Sequence, residues 1–187
     1  MRREIIEWSV LILVFAGLYL TGWHTEVLGT LQRGVIATGL IRPDLGETEG
    51  RTMDYDFRLT TLEGQEIHMS NFRQETLFIN LWATWCPPCI AEMPDIHDLY
   101  LEKGEKVKFL MISLEDDPKK AAAFIDRKGF EFPVYIASYG LPGTLRSNSI
   151  PTTYVVAPNG QIKMTRKGLA KYDTDEFKKY LDNLVSK

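Results

Sequence analysis

A chain of 187 residues leaves room for one domain of roughly 130 residues and a short appended segment. Its 22 basic and 25 acidic side chains give a formal charge of -3, without the basic excess expected of a nucleic-acid binder. Two closely spaced cysteines are no structural disulfide framework; such a pair is either redox-active or half of a metal site.

Met1-Arg2-Arg3 precedes a mostly apolar stretch from Ile5 to Trp23, about 19 residues or roughly 28 Å as a helix. Glu7 lies near its start, and Trp8, Tyr19 and Trp23 fall near its ends, where interfacial aromatics gather. Residues 1–23 therefore predict a transmembrane anchor, and the arginines a cytoplasmic N-terminus with the rest of the chain on the outer side. No small-x-small site follows, so an uncleaved anchor is preferred to a signal peptide. Residues 24–52 read as an amphipathic segment and linker. Val27, Leu28, Leu31, Val35 and Ile36 share one helical face, with Gln32 and Arg33 off it. An interfacial helix and a helix packed on a partner or on the domain are both allowed. Arg42 to Gly50 has linker composition.

The globular domain is expected over 53–187. Tyr55–Leu59 and Glu66–Met69 read as strands of a hairpin around Leu62-Glu63-Gly64-Gln65. Leu77–Trp82 is a central strand, and Pro87 to about Lys103 a helix kinked by Pro94. Val107–Ser113 follows as a strand parallel to the first, because a helix connects them. Asp117-Pro118 opens a helix that Gly129 ends. Pro133–Ala137 is a further strand and Leu141–Ser147 a short helix. Thr152–Val156 and Gln161–Arg166 flank Asn159-Gly160, the strongest hairpin signal in the chain. Thr174 caps a last helix through Val185.

Both cysteines stand where strand gives way to helix, with Cys86 near the N-cap and Cys89 in the first turn. There the free N–H groups and the positive dipole end favour a thiolate. Pro87 sits at the first helical position, where its missing N–H costs nothing. A pair at this spacing can close a disulfide within one turn and reopen it by thiolate attack. A zinc half-site is the alternative, but there is no second such pair, and His24, His68 and His97 lack metal-ligand spacing. Cys86 reads as the nucleophile and Cys89 as the resolving thiol. Glu92, three residues on, shares the helical face of Cys89 and is a candidate base, its other reading being a carboxylate favoured by the helix dipole.

Trp85-Cys86-Pro87-Pro88-Cys89 after an apolar strand, with Pro94 five residues past the second cysteine, resembles the thioredoxin fold. Ile150-Pro151-Thr152-Thr153 is similar to that fold's cis-proline loop. Glu92 and the apolar N-terminal segment narrow the resemblance to the membrane-anchored TlpA/ResA-like thiol–disulfide oxidoreductases, over roughly Met53 to Lys187. It implies an α/β, thioredoxin-like three-layer sandwich with an N-terminal hairpin and a central αβ insertion over 116–137, preceded by one transmembrane helix.

The resemblance further implies an active-site role for Glu92, a cis peptide at Pro151, and a substrate surface of Trp85, Pro87, Pro88, Ile150 and Pro151. Asn80 stands where thioredoxins carry a buried Asp, which leaves Glu92 as the main base. The implied function is thiol–disulfide exchange on extracytoplasmic proteins, more as reductase than oxidase, for example in cytochrome c maturation. Partners would be protein thiols and disulfides and a membrane electron donor or acceptor. No cofactor or metal is expected beyond the Cys86–Cys89 disulfide. Two rivals are a thiol-dependent metal or haem-precursor carrier and a peroxiredoxin-type peroxidase. Against the second, Ala83 and Ile79 stand where that family carries Thr and Pro.

Overall fold

The structure, a computed structural model, describes residues 2–20, 23–38, 41–43, 50–115 and 117–185. The expected linker falls largely on 44–49, outside the described residues. Two helices, α1 (Arg2–Leu20) and α2 (Trp23–Ala37), precede the sheet domain. No helix of the described residues is long and apolar enough to cross a membrane, so the expected transmembrane helix is not confirmed. Arg2, Arg3, Glu4 and Glu7 occupy the first two turns of α1. Trp8 to Leu20 then covers roughly 20 Å against a hydrocarbon core of roughly 30 Å. Ile6, Trp8 and Val10 to Val14 are all exposed.

Seven strands form one mixed sheet in the order β2-β1-β5-β4-β3-β6-β7. They are β1 (Arg58–Thr61), β2 (Glu66–His68), β3 (Thr76–Trp82), β4 (Val107–Ser113), β5 (Val134–Ile136), β6 (Thr152–Val156) and β7 (Ile162–Lys167). The helices α3 (Pro87–Lys103), α4 (Pro118–Lys128) and α5 (Asp175–Val185) complete the domain. β3, β4 and β5 run parallel through crossovers by α3 and α4, and the remaining pairs are antiparallel. The αβ insertion is therefore α4–β5, and it enters the sheet between β4 and the N-terminal hairpin. Its helix ends as read: Gly129 takes φ 68°, the left-handed cap that a side chain resists. Thr174 Oγ1 accepts the Phe177 N–H at 3.2 Å, capping α5.

β3 is buried along its whole length, so its alternating side chains feed two cores. Phe78 and Trp82 face one, which α3, α4 and α5 cover with Met93, Ile96, Phe124, Phe177 and Leu181. Leu77, Ile79 and Leu81 face the other. Met53, Tyr55, Met69 and Leu145 cover this second face, from extended chain and two short 3-10 turns over Met69–Phe72 and Gly143–Leu145. The third layer thus contains no α-helix among the described residues. β1 begins at Arg58, later than its apolar pattern suggests, because Met53 and Tyr55 are spent packing under the sheet rather than pairing.

The amphipathic segment packs on the domain. α2 lies along α3, with Gly29 against Pro87 and Ile90, and Ile36 buried. Leu28 and Leu31, expected on its apolar face, point outward at 47% and 67% exposure. Ile36 of the same face is buried, and at Gly29 the two helix backbones approach closely, so a residue outside the apolar pattern also stands in the seam.

Candidate active site

β3 delivers the chain to the end of the sheet, and a turn closed by Cys86 N–H to Ala83 O at 3.2 Å leads into α3. Cys86 is the N-cap and is joined to Cys89 in a disulfide. Pro87 and Pro88 occupy the first two helical positions, so two of the N–H groups that a helix start normally offers are missing. The next N–H, of Cys89, points at Cys86 Sγ at 3.3 Å, and that of Ile90 closes onto Cys86 O. One backbone donor therefore faces the sulfur that would carry negative charge. Cys86 is 4% exposed and Cys89 fully buried.

Asn80, between Phe78 and Trp82 on β3, lies on the face that α3 covers. Its amide Nδ2 donates to Glu92 Oε1 at 2.8 Å and to Thr153 Oγ1 at 2.9 Å. The Ala170 N–H donates to Glu92 Oε2 at 3.2 Å, and Tyr172 OH donates to Thr153 Oγ1 at 2.7 Å. Glu92 has no exposed surface. Burial pushes its carboxyl up to about 8, against the opposing pull of the Asn80 and Ala170 hydrogen bonds and the Arg166 charge. Tyr172 is raised well above its ordinary value, first by burial and then by the Glu92 charge, so it remains a neutral donor. One turn along α3, Glu92 stands roughly 5–6 Å from Cys89 between Cβ atoms.

The Ile150–Pro151 peptide is cis, in accord with the resemblance. Because Thr152 pairs with Leu81, this loop lies beside the end of β3 from which the cysteine turn departs. Ile150 packs against the core that contains both cysteines. Trp85 is 58% exposed beside them, while Trp82 is buried in the core. The structure thus gathers Trp85, Cys86, Pro87, Pro88, Cys89, Glu92, Ile150 and Pro151 at one end of the sheet.

A second carboxylate there has no signal in the sequence. Glu115, past the end of β4 and 7% exposed, accepts both the Thr84 N–H at 2.6 Å and the Thr84 hydroxyl at 2.5 Å. It ties down the chain two residues before Cys86. Ala170 and Tyr172 likewise carry no signal in the sequence, whereas Asn80 and Thr153 fall on positions to which the thioredoxin resemblance points. Among the described residues no group of three or more His, Cys, Asp or Glu side chains could hold a metal ion. His97 packs on Phe130 and Phe132, and His68 bonds Ser70.

The model of the AhpC/TSA family matches residues 52–165. The thiol-disulfide oxidoreductase ResA of Geobacillus kaustophilus (strain HTA426) is 30% identical over 169 residues, covering 89% of this chain and 88% of that one. The thioredoxin-like protein YneN of Bacillus subtilis (strain 168) is 32% identical over 144 residues, 72% of this chain and 84% of its own. Among solved structures, StoA from Bacillus subtilis superposes with a TM-score of 0.56 at 26% identity, covering 66% of this chain and 94% of that one.

Proposed function

Since the chain belongs to the AhpC/TSA family and is a thiol–disulfide oxidoreductase of the ResA type, we propose that Cys86 is its attacking sulfur, Cys89 its resolving thiol and Glu92 the base between them. The observation that carries this reading is a buried carboxyl, raised to about 8, one turn past the buried cysteine of the disulfide.

In the reduced protein the Cys86 thiolate attacks a partner disulfide. A Cys86–partner bond forms, and the partner's other sulfur leaves as a thiolate that takes a proton from solvent. Cys89 then gives its proton to the Glu92 carboxylate and attacks Cys86 Sγ. The Cys86–Cys89 disulfide closes, and the partner's second sulfur leaves. The partner gains two electrons, and the enzyme dithiol loses them. Run backwards, the protonated Glu92 returns the proton to Cys89. Asn80 and Ala170 hold the two carboxyl oxygens in place, which fixes the direction from which the proton is taken.

The physiological direction we assign is reduction of extracytoplasmic proteins, for example in cytochrome c maturation, with electrons from a membrane donor. Partner segments would lie across Trp85, Pro87 and Pro88 and pair with the edge at Ile150–Pro151. The exposed apolar side chains of α1, with Leu28 and Leu31, support attachment to a membrane through the N-terminal segment, the thiols outside. The haem-precursor or metal carrier is disfavoured by the scattered histidines, and the peroxidase by Ala83 and Ile79.

Trapping tests the assignment. Cys89→Ser should accumulate a mixed disulfide between Cys86 and its natural partner, identified by mass spectrometry of the adduct. Adducts on Cys89 in the Cys86→Ser variant, with none on Cys86 in its counterpart, would reverse the roles.

A further inference from the structure

α2 lies outside the span matched by the family model, and it rests directly on the catalytic turn. A Cβ placed at Gly29 would stand 3.1 Å from the Pro87 carbonyl oxygen and 3.2 Å from Ile90 Cγ2. These residues follow Cys86 and Cys89 respectively. A side chain at residue 29 would therefore push α2 and α3 apart by at least a few tenths of an ångström here. Gly34, one and a half turns on, has nothing within 4 Å of such an atom.

The contact is held from several sides. Ile36 is buried at 1% exposure, and Pro43 is buried as well. The Lys171 N–H donates to Ile41 O at 2.9 Å, and Arg42 pairs with Glu176 at 3.5 Å. Residues 41 to 43 are thus stitched to the segment next to Ala170, which holds Glu92. Meanwhile Cys86, first in its turn, is only 4% exposed.

We propose that α2 is a fixed wall of the active site, a specificity-determining element that closes the side of the catalytic turn where the Pro87 carbonyl and Ile90 lie and leaves approach to Cys86 across Trp85, the half-buried rings of Pro87 and Pro88, and Ile150–Pro151. The wall favours disulfides in extended or slender segments and disfavours those framed by bulky folded surface. A small disulfide does not reach far enough from Cys86 to meet it. This inference rests on Cys86 being the attacking sulfur.

The test uses the reduced full-length protein in single-turnover oxidation, read by tryptophan fluorescence, with insulin as a folded disulfide protein and glutathione disulfide as a small one. Gly29→Leu forces α2 off α3. It should speed the reaction with insulin roughly 5-fold and that with glutathione disulfide less than about 2-fold, at unchanged reduction potential. Gly34→Ala, on the same helix facing open space, should change neither. Equal gains on both substrates, a shifted potential, or no gain with insulin would overturn the wall. Should Gly29→Leu not fold, Gly29→Ala places its methyl at the same 3.1 Å contact and should shift the ratio of the two rates in the same direction; an unchanged ratio overturns the inference. If Cys86 is not the attacking sulfur, Cys89→Ser will form no adduct with either substrate, an outcome separate from any change of ratio.

Discussion

Glu92→Gln separates a working base from a tolerated buried acid, and its effect on stability follows from the surroundings of the carboxyl. Unfolded, Glu92 titrates near 4.5; folded, burial raises it to about 8. The folded state therefore binds the extra proton. Glu92 permits full stability below its unfolded pKa, and stability falls as pH rises toward about 8. At 1.36 kcal/mol per pH unit, the Glu92 share of that loss is roughly 3–4 kcal/mol between pH 5 and pH 8. Gln keeps the shape and accepts from Asn80, but its amide meets the Ala170 N–H donor to donor, a cost of about 1 kcal/mol. The variant should thus be slightly less stable than wild type at pH 5 and more stable by roughly 2–3 kcal/mol at pH 8. Urea unfolding of the oxidised protein at pH 5, 6, 7 and 8 reads this crossing. The same substitution should leave mixed-disulfide formation nearly unchanged and slow its resolution by roughly 10- to 1000-fold, the range of a lost general base. Wild-type resolution should accelerate as pH rises through about 8, as the carboxylate becomes populated, and the variant should lose that limb. Parallel stability curves would refute the burial-raised carboxyl. Equal resolution rates would refute its role as base.

Three further outcomes are expected. Alkylation against pH should show Cys86 as the more acidic thiol in the Cys89→Ser variant, and only moderately so, because Pro87 and Pro88 leave one backbone N–H facing it; a more acidic Cys89 contradicts the assignment. Glu115→Ala removes two hydrogen bonds to Thr84 and should cost about 1–3 kcal/mol in urea unfolding, with Thr84→Val recovering less than additively in the double variant; strict additivity would mean that the two do not act together. A membrane-impermeant thiol reagent should label Cys86 in reduced intact cells, and labelling only after lysis would place the thiols inside.

Much of the chemistry was legible because it is local. Residues 86–89 declare a disulfide at a helix start through their own spacing, and the proline after Cys86 declares where that helix begins. Asp117 and Gly129 mark the ends of α4, and Asn159-Gly160 joins β6 to β7, by rules that operate within a few residues. Even the place of Glu92 on the Cys89 face is helix arithmetic. The properties that make Glu92 more than a helix carboxylate are not local. Its burial depends on α3 covering the sheet. Its two donors come from Asn80, 12 residues away on β3, and from Ala170, 78 residues away past β7. Thr153 reaches Asn80 because strand register pairs them, and Glu115 reaches Thr84 because β4 lies beside β3. For α2 the apolar pattern marks only part of the seam: Ile36 is buried as its face predicts, while Leu28 and Leu31 are exposed. Hydrophobic periodicity records which residues avoid water, whereas Gly29 against Pro87 is decided by the distance between two backbones, which exists only once the chain has folded.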